Sequence, residues 1–278
     1  MCWVQIKWSS DICRLRESKV ITTWSRSDAD YNMDEAILVS LVDVIARHPW
    51  WEARKRIALE LLKRNGILPP ARVLDAGCGW GSNLTALEEA GYQVVGLDIS
   101  HQALERLDSP NRTLIECDLT KPLPDNVESF DAVIALDVIE HLDDDAAAIS
   151  VLGRLTRPGG LVIVSVPALP ELMSDFDRVQ GHRRRYIPKM LREAFVGSDL
   201  TVDRLFWWGS WMVPIIRRQR SQKKILPTEK PFETYRRYLS LPPWPVSLIF
   251  RLAFRLDQEK SIQGKTHTGT SLFAIARR

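Results

Sequence analysis

The chain has 278 residues, 45% of them hydrophobic and 26% charged, with a formal net charge of +3. These values are ordinary for a globular protein of one large domain with an appendage, and they exclude a low-complexity chain. The four cysteines form no CxxC pair, and their spacing matches neither a zinc site nor a disulfide framework. We therefore expect reduced thiols and no metal. The sequence contains no apolar run of about 18 residues, so we expect no membrane-spanning helix.

The charges are distributed unevenly along the chain. Residues 1–177 carry 17 Lys and Arg against 28 Asp and Glu, a net charge of −11. Residues 178–237 carry 15 Lys and Arg against 5 Asp and Glu, a net charge of +10. A basic segment this late in the chain predicts that this part contacts an anionic partner.

The amino-terminal part is predicted to lie outside the main domain. Residues 1–33 show no sustained hydrophobic period, so we predict a weakly ordered extension. Met33 is a candidate natural start, because periodic sequence begins there. The segment 34–70 is predicted to hold two helices, over 34–47 and 50–65, and a glycine followed by two prolines ends the second.

From residue 71 the sequence alternates between short apolar runs and helix-like segments. The apolar runs predict strands at 71–77, 93–100, 112–119, 130–141 and 161–168, with a turn at 158–160. The segments between them predict helices at 82–91, 101–108 and 144–156. Strands separated by helices of this length predict an α/β fold: a Rossmann-like, mostly parallel sheet with helices on both faces.

The rhythm changes after residue 167. We predict four further elements in chain order: a long polar connection over 168–187, a helix at 189–195, a strand at 200–208 and a last strand at 269–278. Residues 209–265 lie between the last two strands and read as an irregular, basic and aromatic insertion, which at this length is expected to be functional. The predicted core domain is therefore 71–208 together with 266–278.

The most informative motif is VLDAGCGWGSN, residues 73–83, in which a strand runs into a glycine-rich turn and a helix. Gly77, Gly79 and Gly81 let a ligand approach the backbone, and the helix N-terminus presents its N–H groups. The GxGxG spacing differs from the GxGxxG of dinucleotide sites, and no Gly-Lys-Ser/Thr follows as in a P-loop. Asp75, at the strand end, can accept from the turn amides or from a ligand amine.

Acids at the ends of the next two strands complete a predicted nucleoside site. Asp98, 23 residues after Asp75, can accept hydrogen bonds from both hydroxyls of a ribose. Asp118 can bind an exocyclic amine of a base, and Leu119 can pack on its ring. The plainer alternatives are that Asp98 caps the following helix and that Asp118 is a surface-loop acid.

The sequence resembles the class I S-adenosylmethionine-dependent methyltransferases in five ordered motifs: VLDAGCGWGSN, VVGLDIS, CDL, FDAVIALDVIEHL and RPGGLVIVSVP. The resemblance covers about residues 50–205 and the last strand. It implies a seven-stranded sheet whose last strand is antiparallel, with S-adenosylmethionine as cofactor and methyl donor. It also implies which residues contact that cofactor: Gly77, Cys78, Gly79, Asp98, Ile99, Asp118, Leu119, Leu136 and Asp137. Cys78 is expected to be a small turn residue, since methyl transfer here needs no covalent intermediate.

Candidate catalytic residues follow the fourth and fifth strands, where ligands bind in open α/β sheets. His141 is the first candidate for a general base, because an ordinary imidazole pKa near 6.5 suits proton removal at neutral pH. The alternative is that Glu140 and His141 only orient the start of a helix. His182 is the second candidate, and Tyr186 can contact a ring or hydroxyl of the substrate.

Three adjacent arginines precede Tyr186 and can bind a phosphate or carboxylate of the substrate by bidentate hydrogen bonds: Arg183, Arg184 and Arg185. The alternative is a solvated basic loop. The stretch GHRRRY, together with the segment from His48 to Arg54, also resembles a bacterial subgroup of methyltransferases of type 11/12, which sharpens the family without naming the substrate.

The apolar runs 205–216 and 241–256, which lie beside basic residues, are too short to span a bilayer. They are expected either to cap the substrate pocket or to lie at a membrane interface. Binding of nucleic acid is not expected, because the core is acidic and no RNA-binding motif occurs.

We therefore expect an S-adenosylmethionine-dependent methyltransferase that acts on a small or lipid-linked, anionic acceptor, with O-methylation favoured. The alternative is a non-catalytic module with the same fold that acts through its basic tail, and the glycine spacing disfavours a nicotinamide oxidoreductase. The expected location is cytoplasmic, with peripheral contact at the inner face of the membrane as the further option.

Overall fold

The computed structural model describes three stretches of the chain: residues 21–26, 44–222 and 241–278. Most of the predicted extension over 1–33 and of the predicted helix over 34–47 lies outside these stretches, as does 223–240 within the insertion. The end of that predicted helix, residues 44–47, is helical.

The described strands form one eight-stranded sheet. They are β1 Thr22–Thr23, β2 Arg72–Ala76, β3 Gln93–Asp98, β4 Thr113–Glu116, β5 Phe130–Leu136, β6 Thr156–Pro167, β7 Thr201–Trp208 and β8 Ser271–Arg277. Their order across the sheet is β1-β4-β3-β2-β5-β6-β8-β7, and β8 alone runs in the direction opposite to the other seven described strands. This confirms the predicted Rossmann-like α/β sheet with an antiparallel last strand, and adds one strand to the seven expected.

The additional strand, β1, comes from the segment that was predicted to be a weakly ordered extension. It pairs in parallel with β4, and the Thr23 hydroxyl donates to Glu116 Oε2 at 3.0 Å. Beyond it, the Asp118 amide donates to the Ser25 hydroxyl oxygen at 2.9 Å. A two-residue strand has no periodicity to detect, so the hydrophobic pattern could not indicate this pairing.

The helices lie between the strands. Their bounds are α1 Pro49–Arg64, α2 Ser82–Glu89, α3 His101–Leu107, α4 Asp145–Leu155, α5 Asp175–Val179, α6 Pro188–Glu193, α7 Val213–Gln222 and α8 Trp244–Ile262. Helix α1 begins as the sequence favours: Pro49 occupies its first position, and His48 Nδ1 accepts from the Trp50 amide at 3.2 Å. In the described ranges, no helix is long and apolar enough to cross a membrane.

The core lies on both faces of the sheet, because successive residues of a strand point to opposite sides. In β5, Ala132 and Ile134 belong to the apolar cluster that contains residues of α1 and α8. Val133 and Ala135 belong to the cluster on the other face, which contains residues of α4 and α6. All four of these side chains are fully buried, as near-continuous apolar strands of a doubly covered parallel sheet should be.

Three predicted segments differ in detail. The connection over 168–187 contains α5 and a 3-10 turn at Pro170–Leu172, and the predicted turn at 158–160 lies within the irregular start of β6. The insertion over 209–265 was read as irregular, yet its described parts are largely helical, with a 3-10 turn at Ser210–Met212 followed by α7 and α8. The prolines and tryptophans of this segment obscured the helical spacing, but Pro245 lies in the first turn of α8, where proline is tolerated.

Candidate active site

A cavity of about 440 Å³ opens at the carboxyl ends of the parallel strands. It lies where the strand order reverses between β2 and β5, the position at which open α/β sheets bind their ligands. The turn after β2 and the ends of β3, β4, β5 and β6 form its floor, and residues of α1 and α7 cover it. Of the predicted site residues it is lined by Gly77, Cys78, Gly79, Asp98, Ile99, Asp118, Leu119, Leu136, Asp137, His141, His182 and Arg185.

The glycine turn after β2 requires glycine for two different reasons. Gly77 has φ +77°, and a Cβ there would collide with Val138 after β5, so the two strand ends can approach only without that atom. Gly79 has φ +49°, and a Cβ there would meet nothing within 4 Å, so its backbone faces open space. The turn thus leaves room for a ligand beside the start of α2, where the helix dipole is positive. Gly81 caps that helix and does not line the cavity.

Cys78 lies in this turn as a buried thiol. Burial, and then the neighbouring Asp98, raise its pKa well above the ordinary value. The thiolate is therefore strongly disfavoured, which agrees with the expectation of a small turn residue and not a nucleophile.

Asp98 joins the glycine turn to the end of β3. Its Oδ2 accepts from the Gly79 amide at 2.7 Å, and its Oδ1 accepts from the Ser100 amide at 2.9 Å. The side chain borders the cavity, so a ligand there can reach its carboxylate. Ser100, and not Asp98, caps α3 with its side chain, which removes the plainer interpretation of Asp98.

Asp118 lies at the next strand end. Its Oδ1 accepts from the amide and hydroxyl of Thr120, at 2.9 and 2.7 Å. Its Oδ2 is buried, and no described residue supplies it with a hydrogen bond. A buried oxygen of this kind beside a cavity needs a donor from a ligand, and the exocyclic amine of a base is such a donor.

Asp137 has a backbone conformation that is rare for any residue but glycine. Its φ is +58°, immediately after β5. Oδ2 of Asp137 accepts from Arg54 Nη1 at 2.6 Å, and Oδ1 accepts from the Ser165 hydroxyl at 2.9 Å. Arg54 also lies over the ring of Trp50, at 4.8 Å from the ring centre. In the sequence, the segment of α1 that contains Arg54 was noted only for its resemblance to the methyltransferase subgroup. The spacing of residues could not predict that Arg54 forms an ion pair with Asp137 at the end of β5.

Asp75 lies beneath the turn and does not line the cavity. It is fully buried, and burial raises its pKa to about 7, although the charge of Arg54 acts in the opposite direction. An acid whose pKa is higher in the folded state than in the unfolded state makes the fold less stable as pH rises between the two values.

We expect the substitution Asp75→Asn to flatten the pH dependence of stability. Between pH 5 and pH 8 the wild-type chain should lose about 2 kcal/mol of unfolding free energy at this residue, and the variant should not. Urea denaturation of both chains at the two pH values measures the difference, with Asp199→Asn at the surface as control. An identical pH dependence in wild type and Asp75→Asn would contradict the assignment.

Two histidines line the opposite end of the cavity, and a buried acid, Glu140, lies next to them without bordering it. His141 and His182 meet edge to face, with ring centres 4.8 Å apart. Burial, and then His182, lower the pKa of His141 to about 4, so its imidazole is neutral at pH 7. Burial raises the pKa of Glu140 well above its ordinary range, and Asp137 adds to the rise.

The three adjacent arginines take three different positions. Arg185 is buried and donates to Asp177 Oδ1 through Nε at 2.8 Å and Nη2 at 2.6 Å. Arg183 and Arg184 lie outside the cavity lining and donate to backbone oxygens of the segment after β5, including that of Leu142. Some donors of these two side chains bind the protein's own backbone, and their predicted contact with a substrate stays a prediction.

Asp177 organises this end of the cavity. Besides Arg185, it accepts from Arg220 Nη1 at 2.9 Å and from Ser174 Oγ at 2.8 Å. Burial alone would raise the pKa of Asp177, but its bond to His182 and the charge of Arg185 hold it below the usual range. The sequence did not indicate this acid, because a single Asp in a polar connection carries no motif.

Tyr186 does not reach the cavity. It is fully buried, and its hydroxyl donates to Asp145 Oδ2 at 2.8 Å. Burial, and then this hydrogen bond, raise its pKa. This position does not agree with the predicted contact between Tyr186 and a substrate. The hydrogen bond of its hydroxyl instead connects the segment after β6 to α4.

The strand order, the antiparallel strand β8 and the glycine turn give the described part of the chain the Rossmann-like fold that class I S-adenosylmethionine-dependent methyltransferases share. Residues 74–164 match the family described as "Methyltransferase domain". This is the class of domain that takes S-adenosylmethionine as its cofactor.

Curated relatives share the same part of the chain. A ubiquinone biosynthesis O-methyltransferase of Hahella chejuensis is 32% identical over 131 residues, 40% of this chain and 53% of that protein. The protein of the same name from Paracidovorax citrulli is 28% identical over 155 residues, 50% of this chain and 64% of that protein. The chain thus spans less than two thirds of the length of these relatives.

Solved structures show the same fold at low identity. A protein described as a sarcosine dimethylglycine methyltransferase from Galdieria sulphuraria superposes with a TM-score of 0.51 at 16% identity, over 80% of this chain and 83% of its own. The cyclase SpnF superposes with a TM-score of 0.53 at 18% identity, over 84% of each chain. Since a cyclase has the same fold, the fold alone does not determine the reaction, which has to be inferred from the residues of the site.

Proposed function

We propose that the chain transfers a methyl group from S-adenosylmethionine to an oxygen of a small or lipid-linked, anionic acceptor. One observation carries this proposal: a single cavity has nucleoside-binding groups at one end and two histidines at the other. Donor and acceptor can therefore meet in one cavity, and an in-line displacement requires that they be held close and aligned.

The residues at the first end fit the cofactor. Asp98 would accept from the ribose hydroxyls, and the unsatisfied Oδ2 of Asp118 would accept from the adenine amine, with Ile99 and Leu119 against the ring. The open space at Gly79 would admit the methionine part. The cofactor supplies an electrophilic methyl group on a sulfonium, and the chain's residues hold it in place and exclude water.

The residues at the other end favour an acceptor that carries negative charge and a hydroxyl. Arg185 and Arg220 border the cavity and share one carboxylate, that of Asp177, so this group carries a net positive charge. His141 faces the cavity and is neutral at pH 7, so it can take a proton from a hydroxyl as it attacks, but its lowered pKa makes it a weaker base than the ordinary imidazole expected from the sequence. The relatives named above are O-methyltransferases, which supports oxygen as the acceptor atom.

Calorimetry with S-adenosylmethionine tests the cofactor assignment. We expect one site with a dissociation constant on the order of micromolar. A non-catalytic module would bind the cofactor but would never release its demethylated product, whatever acceptor fraction is supplied. Heat of binding from NADH and none from S-adenosylmethionine would instead favour the nicotinamide reading.

A second proposal concerns the insertion, whose two helices have different surroundings. Met212, Ile216 and Gln219, in and next to α7, line the cavity, so this helix acts as a pocket cap. Helix α8 is anchored inward: Phe254 stacks on Trp208 with ring centres 5.3 Å apart, and Asp257 accepts from the Gly209 amide at 2.7 Å. Its opposite side bears a row of large apolar residues that are 58–79% exposed: Trp244, Leu248, Ile249, Leu252 and Leu256.

We propose that this exposed row of α8 contacts an anionic membrane surface. An amphipathic helix with basic neighbours, here Arg251 and Arg255, suits such an interface. Intact protein should sediment with phosphatidylglycerol vesicles at low salt, and replacement of Trp244, Leu248, Leu252 and Leu256 by serine should weaken this binding more than about 100-fold. Intact protein that stays in the supernatant would leave α8 with no role beyond packing on the domain.

A further inference from the structure

We propose that Glu140, His141 and His182 bind a divalent transition-metal ion at the acceptor end of the cavity. Each residue offers one ligand atom, and the three atoms lie within 4.8 Å of one another. No metal-site spacing is visible in the sequence, because the third ligand follows the second by 41 residues in a different segment. The inference revises the expectation that no metal is bound.

Glu140 is the ligand that most needs a cation. It lies in the 3-10 turn Ile139–His141 after β5, and its side chain is fully buried. Neither carboxylate oxygen accepts a hydrogen bond from another residue that the structure describes. The backbone fixes this position, because the Arg183 amide donates to the Glu140 carbonyl at 2.8 Å. Burying a carboxylate without partners is costly, and coordination of a metal removes that cost.

His182 is oriented as metal-bound histidines usually are. Its Nδ1 lies 3.3 Å from Asp177 Oδ1, while its Nε2 faces Glu140 Oε1 at 3.9 Å. A proton on Nδ1 is therefore directed at Asp177, which leaves the Nε2 lone pair on the side of Glu140. In metal sites, a carboxylate that accepts from the ring nitrogen not bound to the metal fixes both the tautomer and the orientation of the histidine.

His141 supplies the third donor. Its ring meets that of His182 edge to face, and its Nδ1 is buried without a hydrogen-bond partner among the described residues. Both histidines line the cavity, so a ligand between them is reachable from the acceptor space. Two buried groups without hydrogen-bond partners among the described residues, Glu140 and His141, therefore offer ligand atoms within 4.8 Å of one another.

The donor set defines the kind of ion. Two imidazoles and one carboxylate suit Zn²⁺, Co²⁺, Mn²⁺ or Fe²⁺ and are poor ligands for Ca²⁺ and Mg²⁺. Bonds of about 2.0–2.2 Å place donors up to roughly 4 Å apart, so the three side chains would close by about 1 Å or less. Three protein ligands leave an open position.

The open position faces the cavity, which gives the ion a function that rests on the proposed methyl transfer. An acceptor hydroxyl bound there would lose its proton more readily, because a bound cation stabilises the alkoxide or phenolate. The bond that then forms is between this oxygen and the methyl carbon, and the bond that breaks joins that carbon to the sulfonium sulfur. The hydroxyl proton leaves to solvent, because the ion would take over the part of His141 in activating the hydroxyl.

Titration with Co²⁺ tests the site. Full-length protein without a histidine tag, freed of metal by chelator, should develop visible d–d absorption that saturates at one equivalent and is displaced by Zn²⁺. Glu140→Gln and His182→Ala should each abolish saturable binding, and Asp177→Asn should weaken it about 10- to 100-fold. His101→Gln, which alters a histidine paired with Glu116 outside the cavity, should leave the absorption unchanged.

Circular dichroism shows which variants fold. If Glu140→Gln does not fold, the comparison of wild type with His182→Ala tests the site. No saturable spectrum from the wild type, or the same spectrum in folded His182→Ala, overturns the metal site. Calorimetry with S-adenosylmethionine in chelator is independent of this result. Cofactor binding without a Co²⁺ spectrum therefore overturns the metal site alone, and a Co²⁺ spectrum without cofactor binding overturns the methyltransferase proposal alone.

Discussion

Replacing Asp98 with alanine is expected to weaken S-adenosylmethionine binding by at least about 100-fold. The carboxylate is the proposed acceptor for two ribose hydroxyls, and each charge-assisted hydrogen bond contributes about 1.5–3 kcal/mol. The same carboxylate fixes the turn through the Gly79 amide, so its loss also loosens the backbone that faces the ligand. Isothermal titration calorimetry with the cofactor and with S-adenosylhomocysteine measures the change.

Two variants make the Asp98 result specific. Glu128→Ala removes an exposed carboxylate that pairs with Arg72 and should leave the affinity unchanged. Asp98→Asn keeps one acceptor oxygen and should fall between wild type and alanine. An affinity for the cofactor that stays within about threefold in Asp98→Ala would remove Asp98 from the site.

Replacing Arg185 with methionine is expected to lower the free energy of unfolding by about 3–5 kcal/mol. Its guanidinium is buried and forms two bonds to Asp177 and one to the Ala168 carbonyl, at 2.8 Å. Removal of one partner leaves the Asp177 carboxylate in a buried position with part of its charge uncompensated. Urea denaturation followed by circular dichroism gives the change in stability.

The neighbouring arginine provides the matched control for this prediction. Arg183 is more than one third exposed and bonds to the surface segment after β5, so Arg183→Met should change stability by no more than about 1 kcal/mol. If the two methionine variants unfold at the same urea concentration, the buried bonds of Arg185 do not stabilise the fold as proposed. The predicted role of Arg185 in binding substrate would then be favoured.

The sequence predicted the sheet well because its signals are local. Apolar runs bounded by turns, and a glycine spacing that differs from GxGxxG, need only neighbouring residues to be read. Asp98 and Asp118 follow from the same logic, since the carboxyl ends of parallel strands meet at one edge of a sheet. Their positions beside the cavity agree with the expectation, and their roles stay proposals.

What the sequence could not show depends on contacts between distant segments. The ion pair of Arg54 with Asp137 joins residues 83 positions apart. The edge strand β1 pairs with β4 although more than 90 residues separate them in the sequence. Three adjacent arginines look alike in the sequence, yet only Arg185 turns inward, because Asp177 is buried there to receive it. Equivalent residues in a pattern acquire different functions through such tertiary partners.

The acceptor end shows the same limit for catalytic residues. From the sequence, Glu140 was considered only as a residue that orients the start of a helix together with His141. In the structure it is a completely buried carboxyl group, which is unusual. His182 lies beside His141 because the segment after β6 folds back across the end of β5, a step that no local period encodes.

Transfer of an isotopically labelled methyl group tests the central claim most directly. The full chain is incubated with S-adenosylmethionine labelled at the methyl carbon and with fractionated cell extract, and products are analysed by mass spectrometry. The proposed function predicts one class of anionic product that carries the label on oxygen, with an equal amount of S-adenosylhomocysteine, and neither in the Asp98→Ala variant. If no fraction accepts the label although the cofactor binds, or if Asp98→Ala forms product at the wild-type rate, the methyltransferase assignment of this cavity is contradicted.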